Sequence, residues 1–223
     1  MDNKYKKDKP TIEDFVKKRN DEKLIFSPGP ASLLEENIFG LRPCFGREDA
    51  DYSFIEKDVI ENIKKISGHN TVIRLQGSAS VALEIAILNF LKGRILLIET
   101  GYYSDRLKLI INNYKESERN IAHVDTLDWK EINDFTGKYD WIVACYTETS
   151  CGIKLPIEEL RQLADKASAK LFLDATASIG LEEHHDYADI IGFSSCKGLF
   201  GLTGASFIAY SEALQKNEVS RKI

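Results

Sequence analysis

The sequence predicts an α/β fold: a three-layer α/β/α sandwich around a mostly parallel, seven-stranded sheet. Three observations predict it. Seven strand-like runs recur at 71–75, 95–99, 120–124, 141–145, 170–174, 189–193 and 205–210, and helical segments fill most of the gaps between them. Several runs, such as Ile95-Leu96-Leu97-Ile98 and Leu171-Phe172-Leu173, are apolar without alternation, which is how strands covered on both faces read. The 223 residues suffice for one large domain.

Residues 1–22 mix both charge signs with few apolar groups, and Thr11 is a candidate cap for a short helix through Lys18. This stretch is expected to be an arm, 1–22, packed on a partner subunit, with one domain over 23–223. Phe26-Ser27-Pro28-Gly29-Pro30 signals a turn. A short helix follows over 31–39, then a polar loop containing Gly46-Arg47-Glu48. Phe54, Ile55, Val59, Ile63 and Ile66 have helical spacing and place a helix over 52–66. Further helices are expected at 80–91, 104–114, 128–134 and 157–168. Strand–helix alternation of this kind builds right-handed crossovers and a parallel sheet covered by helices.

Composition narrows the function. The chain is 43% hydrophobic and 29% charged with a net charge of −5, so it has no basic footprint for nucleic acid or an anionic membrane. No apolar run is long enough to span a bilayer, and the charged residues 1–9 do not read as a secretory signal. Cys44, Cys145, Cys151 and Cys196 lack CxxC spacing and read as reduced thiols of a cytoplasmic protein. Adjacent His184 and His185 would not converge on one metal ion without help from other elements.

In open α/β sheets ligands gather at the carboxyl ends of strands. Five such ends carry suitable residues. The run through Leu75 leads to Gln76-Gly77-Ser78-Ala79-Ser80 and a helix, where N–H groups and serine hydroxyls could bind an anion or merely cap the helix. The run through Glu99 leads to Gly101-Tyr102-Tyr103-Ser104-Asp105-Arg106, offering a ring to stack on a flat heterocycle or to fill core. The run through Cys145 leads to Thr147-Glu148-Thr149-Ser150-Cys151-Gly152, a hydroxyl cluster. The fifth run ends on Asp174, followed by Ala175-Thr176-Ala177-Ser178, and the sixth leads to Ser194-Ser195-Cys196-Lys197. An acid and a lysine at successive strand ends suit pyridoxal phosphate (PLP). The lysine binds the aldehyde and moves protons, while the acid keeps the pyridine nitrogen protonated.

On these segments the chain resembles the class V aminotransferases of PLP fold type I, from about Phe26 to Tyr210. The branch it is most similar to holds the 2-aminoethylphosphonate–pyruvate and alanine–glyoxylate (serine–pyruvate) aminotransferases. The resemblance implies a PLP-dependent transferase large domain. Lys197 would be the Schiff-base lysine and Asp174 the pyridinium partner. Tyr103, or Tyr102 in its place, would stack on the ring. Ser78, Ala79 and Ser80 would hold the phosphate, and Thr149 or Ser150 would lie near the phenolic oxygen. Thr176, in the Asp174 segment, belongs to the same cofactor set. Cys196 stands where relatives often carry a polar residue, which weakens that contact. Gly46-Arg47-Glu48 resembles a substrate-side loop of the aminoethylphosphonate branch. Desulfurases of this class usually stack a histidine and place another before the lysine, so Tyr103 and Cys196 count against that chemistry.

The implied reaction moves an amino group between a small amine or amino acid, such as 2-aminoethylphosphonate, alanine or serine, and a 2-oxo acid. A cytoplasmic homodimer is implied as well. The resemblance implies a smaller C-terminal domain beyond Ile223, the last residue of this sequence. The alternatives are a truncated or fragmentary product with little or no catalysis, a separate chain that completes the site, a compact enzyme that works without that part, or another class V PLP reaction such as that of a lyase or desulfurase.

Overall fold

The computed structural model describes residues 11, 13–14, 17–18, 27–30, 35–40, 46, 48–118, 120–212 and 214. Most of the expected arm, Phe26, Cys44, Arg47 of the expected substrate loop and the tail from 215 lie outside the described residues.

In chain order the described elements begin with α1 (Glu35–Phe39) and α2 (Ala50–Ser67), followed by β1 (Thr71–Gln76), α3 (Ala79–Phe90), β2 (Gly93–Glu99), α4 (Tyr102–Glu118) and β3 (Ile121–Asp128). A short 3-10 helix (Trp129–Asp134) leads to β4 (Trp141–Cys145), the two-residue ladder β5 (Thr147–Glu148) and β6 (Ile153–Lys154), and α5 (Ile157–Ala167). Then come β7 (Lys170–Asp174), a single 3-10 turn (His185–Tyr187), β8 (Ile190–Ser194) and β9 (Ala205–Tyr210).

Seven strands form the main sheet in the order β1-β9-β8-β7-β4-β2-β3. The pairs from β8 to β3 are parallel, whereas β9 is antiparallel to both β8 and β1. The reversal follows from chain length. Residues 195–204 are too few for the crossover of roughly a dozen or more residues that a parallel return needs. Because β9 reverses twice, β1 runs parallel to β8, and the carboxyl ends of β1, β8, β7, β4 and β2 share one sheet edge.

The apolar strands bury both faces, and alternate residues feed two cores. Leu96, Ile98, Ile142, Leu171, Leu173 and Phe193 pack with α5 on one side. Ile95, Leu97, Val143, Phe172, Ile190 and Ile208 pack with α3 and α4 on the other. Phe172 and Phe193 are completely enclosed. Helix boundaries follow local rules where caps are local. Gly68 closes α2 with φ +71°, its N–H donating to Lys64 O at 2.8 Å.

Three expectations need correction. In place of the α-helix expected over 128–134 the chain forms the 3-10 helix Trp129–Asp134, capped by the Asp128 side chain accepting from the Lys130 N–H. β3 continues past Val124 to Asp128, because an edge strand can carry polar residues and still pair with β2 as far as Glu99↔Asp128. Helix α4 starts at Tyr102 rather than 104, because its first turn is capped by residues distant in sequence.

Candidate active site

The carboxyl-end edge of the sheet opens into a cavity of about 480 Å³. β1 reaches it through Gly77, whose φ of +154° turns the chain into α3. The Gly77 N–H donates to Gly204 O at 2.9 Å, tying this turn to the loop before β9. Ser78 is the N-cap of α3 in extended conformation and makes no side-chain cap bond of its own. Ser78, Ala79 and Ser80 thus line the cavity at the amino end of a twelve-residue helix.

From α4, Tyr103, Arg106, Leu107 and Ile110 line the same cavity. Their spacing of i, i+3, i+4 and i+7 is one helix face. Arg106 Nη2 donates to Ser80 Oγ, so a guanidinium sits beside the α3 amino end. Tyr102 is 66% exposed and packs edge-on against Tyr103, its ring 5.3 Å away. Of the two tyrosines, therefore, Tyr103 faces the cavity. Lys197 Nζ lies 5.8 Å from the Tyr103 ring centroid.

Asp174, the last residue of β7, is 6% exposed and lines the cavity. Its Oδ1 accepts the Thr176 N–H at 2.9 Å. Burial raises its pKa above the usual carboxylate value, while Thr176, Lys197 and Arg106 pull it down. Burial also pushes the thiol of Cys145, at the end of β4, far up, with Asp174 and Glu148 adding to it. Lys197 begins a tight turn closed by the Phe200 N–H donating to Lys197 O at 2.9 Å. Gly198 makes that turn possible: a Cβ there would lie 2.2 Å from Ile179 O.

Thr149 and Thr176 also line the cavity. Ser150 does not. Its Oγ accepts the Tyr102 N–H at 3.1 Å and donates to Glu148 Oε1 at 2.5 Å, so its hydroxyl is committed to capping α4. The structure brings Ser78, Ala79, Ser80, Tyr103, Thr149, Asp174, Thr176 and Lys197 around one space and leaves Ser150 outside it. Sequence reasoning missed Arg106 and Thr147. The helical spacing from Tyr103 could have found Arg106. Thr147 Oγ1 is buried at the cavity wall without a hydrogen-bond partner among the described residues, and only the three-dimensional arrangement shows it. Cys196 lines the cavity as well, with its Sγ 3.7 Å from Ser194 Oγ.

The His184–His185 pair diverges. His184 stacks on the Tyr187 ring at 5.0 Å, while His185 is buried with its Nε2 2.9 Å from Ser178 Oγ. Among the described residues no group of three or more His, Cys, Asp and Glu side chains could hold a metal ion. Cys145, Cys151 and Cys196 are free thiols. No helix among the described residues is long and apolar enough to cross a membrane.

No protein-family model matches the chain. Among curated proteins it is 29% identical to an uncharacterised aminotransferase of Methanocaldococcus jannaschii, over 88% of this chain and 55% of that protein. It is 26% identical to the 2-aminoethylphosphonate–pyruvate transaminase of Pseudomonas aeruginosa, over 86% of this chain and 56% of that protein. The chain thus spans about half the length of the curated relatives it matches. An aspartate aminotransferase of subgroup IV from Thermus thermophilus superposes with a TM-score of 0.72 at 22% identity, covering 83% of this chain and 56% of that one. The chain's homologues are aminotransferases, and its fold is that of solved aminotransferases.

Proposed function

We propose that this chain is the cofactor-binding domain, residues 23–223 behind an arm at 1–22, of a PLP-dependent aminotransferase. Asp174 carries the reading. A buried carboxylate facing a cavity, with no ion pair among the described residues, is costly unless a cation comes to it. A protonated pyridine nitrogen is such a cation. The other donors fit the rest of the molecule. Lys197 would supply the amine for covalent attachment, and Tyr103 would cover one face of the ring. The Ser78–Ser80 turn offers N–H and hydroxyl groups to the phosphate. Thr149 and Thr147, whose hydroxyl has no hydrogen-bond partner among the described residues, would offer hydroxyl groups to the polar substituents of the ring. When bound, PLP supplies the carbonyl that captures the amine and the electron sink for the charge left on its α-carbon. Lys197 Nζ is the group of this chain that takes up and returns the proton. Asp174 would hold the ring nitrogen protonated, and Tyr103, Leu107 and Ile110 would give that side of the cavity an apolar wall.

A small primary amine or amino acid is the donor in this reading and a 2-oxo acid the acceptor. The name of the Pseudomonas aeruginosa relative makes 2-aminoethylphosphonate and pyruvate the first pair to test, with alanine and serine as further donors. A cytoplasmic homodimer is part of the same proposal.

The test is a visible spectrum of the purified protein with added PLP, before and after borohydride, beside Lys197→Ala. The proposal expects a band that borohydride abolishes and the variant lacks, followed by amine-dependent conversion of pyruvate. No band in the wild-type protein refutes it.

A further inference from the structure

Glu148 is completely buried, yet it lies outside the cavity lining. Its carboxylate sits at the amino end of α4, the helix that carries Tyr103 and Arg106. Oε2 accepts the Tyr103 N–H at 3.0 Å, the Ser104 N–H at 3.2 Å and the Thr100 hydroxyl at 3.2 Å. Oε1 accepts the Ser150 N–H at 3.2 Å and the Ser150 hydroxyl at 2.5 Å. Ser150 Oγ in turn accepts the Tyr102 N–H. Ser104 Oγ accepts from Thr100 and Gly101 at 2.9 and 3.0 Å. Every N–H from Thr100 to Ser104 is thereby satisfied, and the Asp105 N–H makes the first bond inside the helix, to Gly101 O. A helix normally leaves its first donors to local caps or water. Here two of them, on Tyr103 and Ser104, depend on one carboxylate of β5, 45 and 44 residues further along the chain. The carboxyl group also lies at the positive end of the helix dipole.

We propose that Glu148 is a positioning residue that sets the Tyr103 ring opposite Lys197. The Tyr103 backbone is held by Glu148, and its ring stands 5.8 Å from Lys197 Nζ. Gly101 fits the same design. A Cβ there would lie 2.7 Å from Ser150 Oγ and 3.2 Å from the Glu148 carboxyl carbon, so this cap closes only over a glycine. The proposal rests on the reading of Tyr103 as the residue that covers the PLP ring. Glu148→Gln keeps the shape and reverses one contact. Its NH2 would face the Ser150 N–H, donor against donor, and the charge at the helix end would be gone.

Two measurements test this. The first needs no cofactor: 19F NMR of protein carrying 3-fluorotyrosine, with the Tyr103 signal assigned by its loss in Tyr103→Phe. Glu148→Gln is expected to move the Tyr103 signal and leave that of Tyr187 in place. The second is PLP affinity. Glu148→Gln and Tyr103→Leu should each weaken it about tenfold, the size of a lost ring-stacking contact. The double variant should be no weaker than either single one, because both changes act through one ring. An unmoved Tyr103 signal overturns the proposal, and so does a double variant that shows the product of the two losses. If Glu148→Gln does not fold, Thr100→Val removes a single donor to the same oxygen and should move the Tyr103 signal in the same direction by less. If the wild-type protein binds no PLP, the cofactor reading falls by itself, and the NMR signal alone decides for or against Glu148.

Discussion

Replacing His185 should remove part of the protein's sensitivity to acid. The imidazole is 2% exposed, 2.9 Å from Ser178 Oγ and edge-on to the Tyr146 ring at 5.3 Å. Burial, with repulsion from His69, pushes its pKa down from the ordinary 6.5 to about 4. The unfolded chain therefore binds a proton between those two values that the folded chain refuses. Stability from this group is complete above about pH 6.5 and is lost as the pH falls toward 4. At about 1.4 kcal/mol for each pH unit, the loss comes to ~3 kcal/mol, a large fraction of a typical domain's stability. His69 acts in the same direction. Its ring nitrogens face two carbonyls, at 2.7 and 2.9 Å, but burial outweighs them and lowers its pKa. The assay is urea unfolding of wild type and His185→Gln at pH 7.0, 5.5 and 4.5. The wild type should lose ~2.5 kcal/mol more than the variant between pH 7.0 and 4.5, whatever the carboxylates contribute to both. Parallel pH profiles for the two proteins would refute the assignment.

Three further outcomes are expected. Asp174→Asn should raise the melting temperature of the cofactor-free protein by roughly 2–4 °C at neutral pH, since it removes a buried acid that has no ion pair among the described residues and keeps the Thr176 N–H bond. The same variant should weaken PLP binding, and a lower melting temperature would contradict the role given to Asp174. Gly198→Ala should cost at least ~1–3 kcal/mol in chemical denaturation, because its Cβ would meet the backbone at Ile179 O, 2.2 Å away. It should also displace Lys197 and abolish the borohydride-sensitive band, and a normal band in this variant would argue against the tight turn. Phe172→Ala, in a completely enclosed site between strands and helices, should cost about 3–5 kcal/mol by urea unfolding, and a loss below ~1 kcal/mol would mean that the two cores are looser than described.

The sequence by itself determined the strands and the residues at their ends. Runs such as Ile95–Ile98 and Leu171–Leu173 can satisfy their side chains only between two apolar layers, so their burial was legible without coordinates. The order of turns after those runs then placed Ser78, Tyr103, Asp174 and Lys197 on one edge, because parallel strands bring their carboxyl ends together. Only the tertiary structure chose between neighbours. Tyr103 rather than Tyr102 faces the cavity, and Thr149 rather than Ser150, because the α4 cap consumes the Ser150 hydroxyl and fixes the rotation of the first turn. The early start of α4 has the same cause. Its caps come from Glu148 and Ser150, 44 to 48 residues away in sequence, and no local pattern can encode a hydrogen bond across that distance. Thr147 and Arg106 became visible for the same reason: a side chain's partners, or its lack of them, depend on which strand ends and helix turns meet in space.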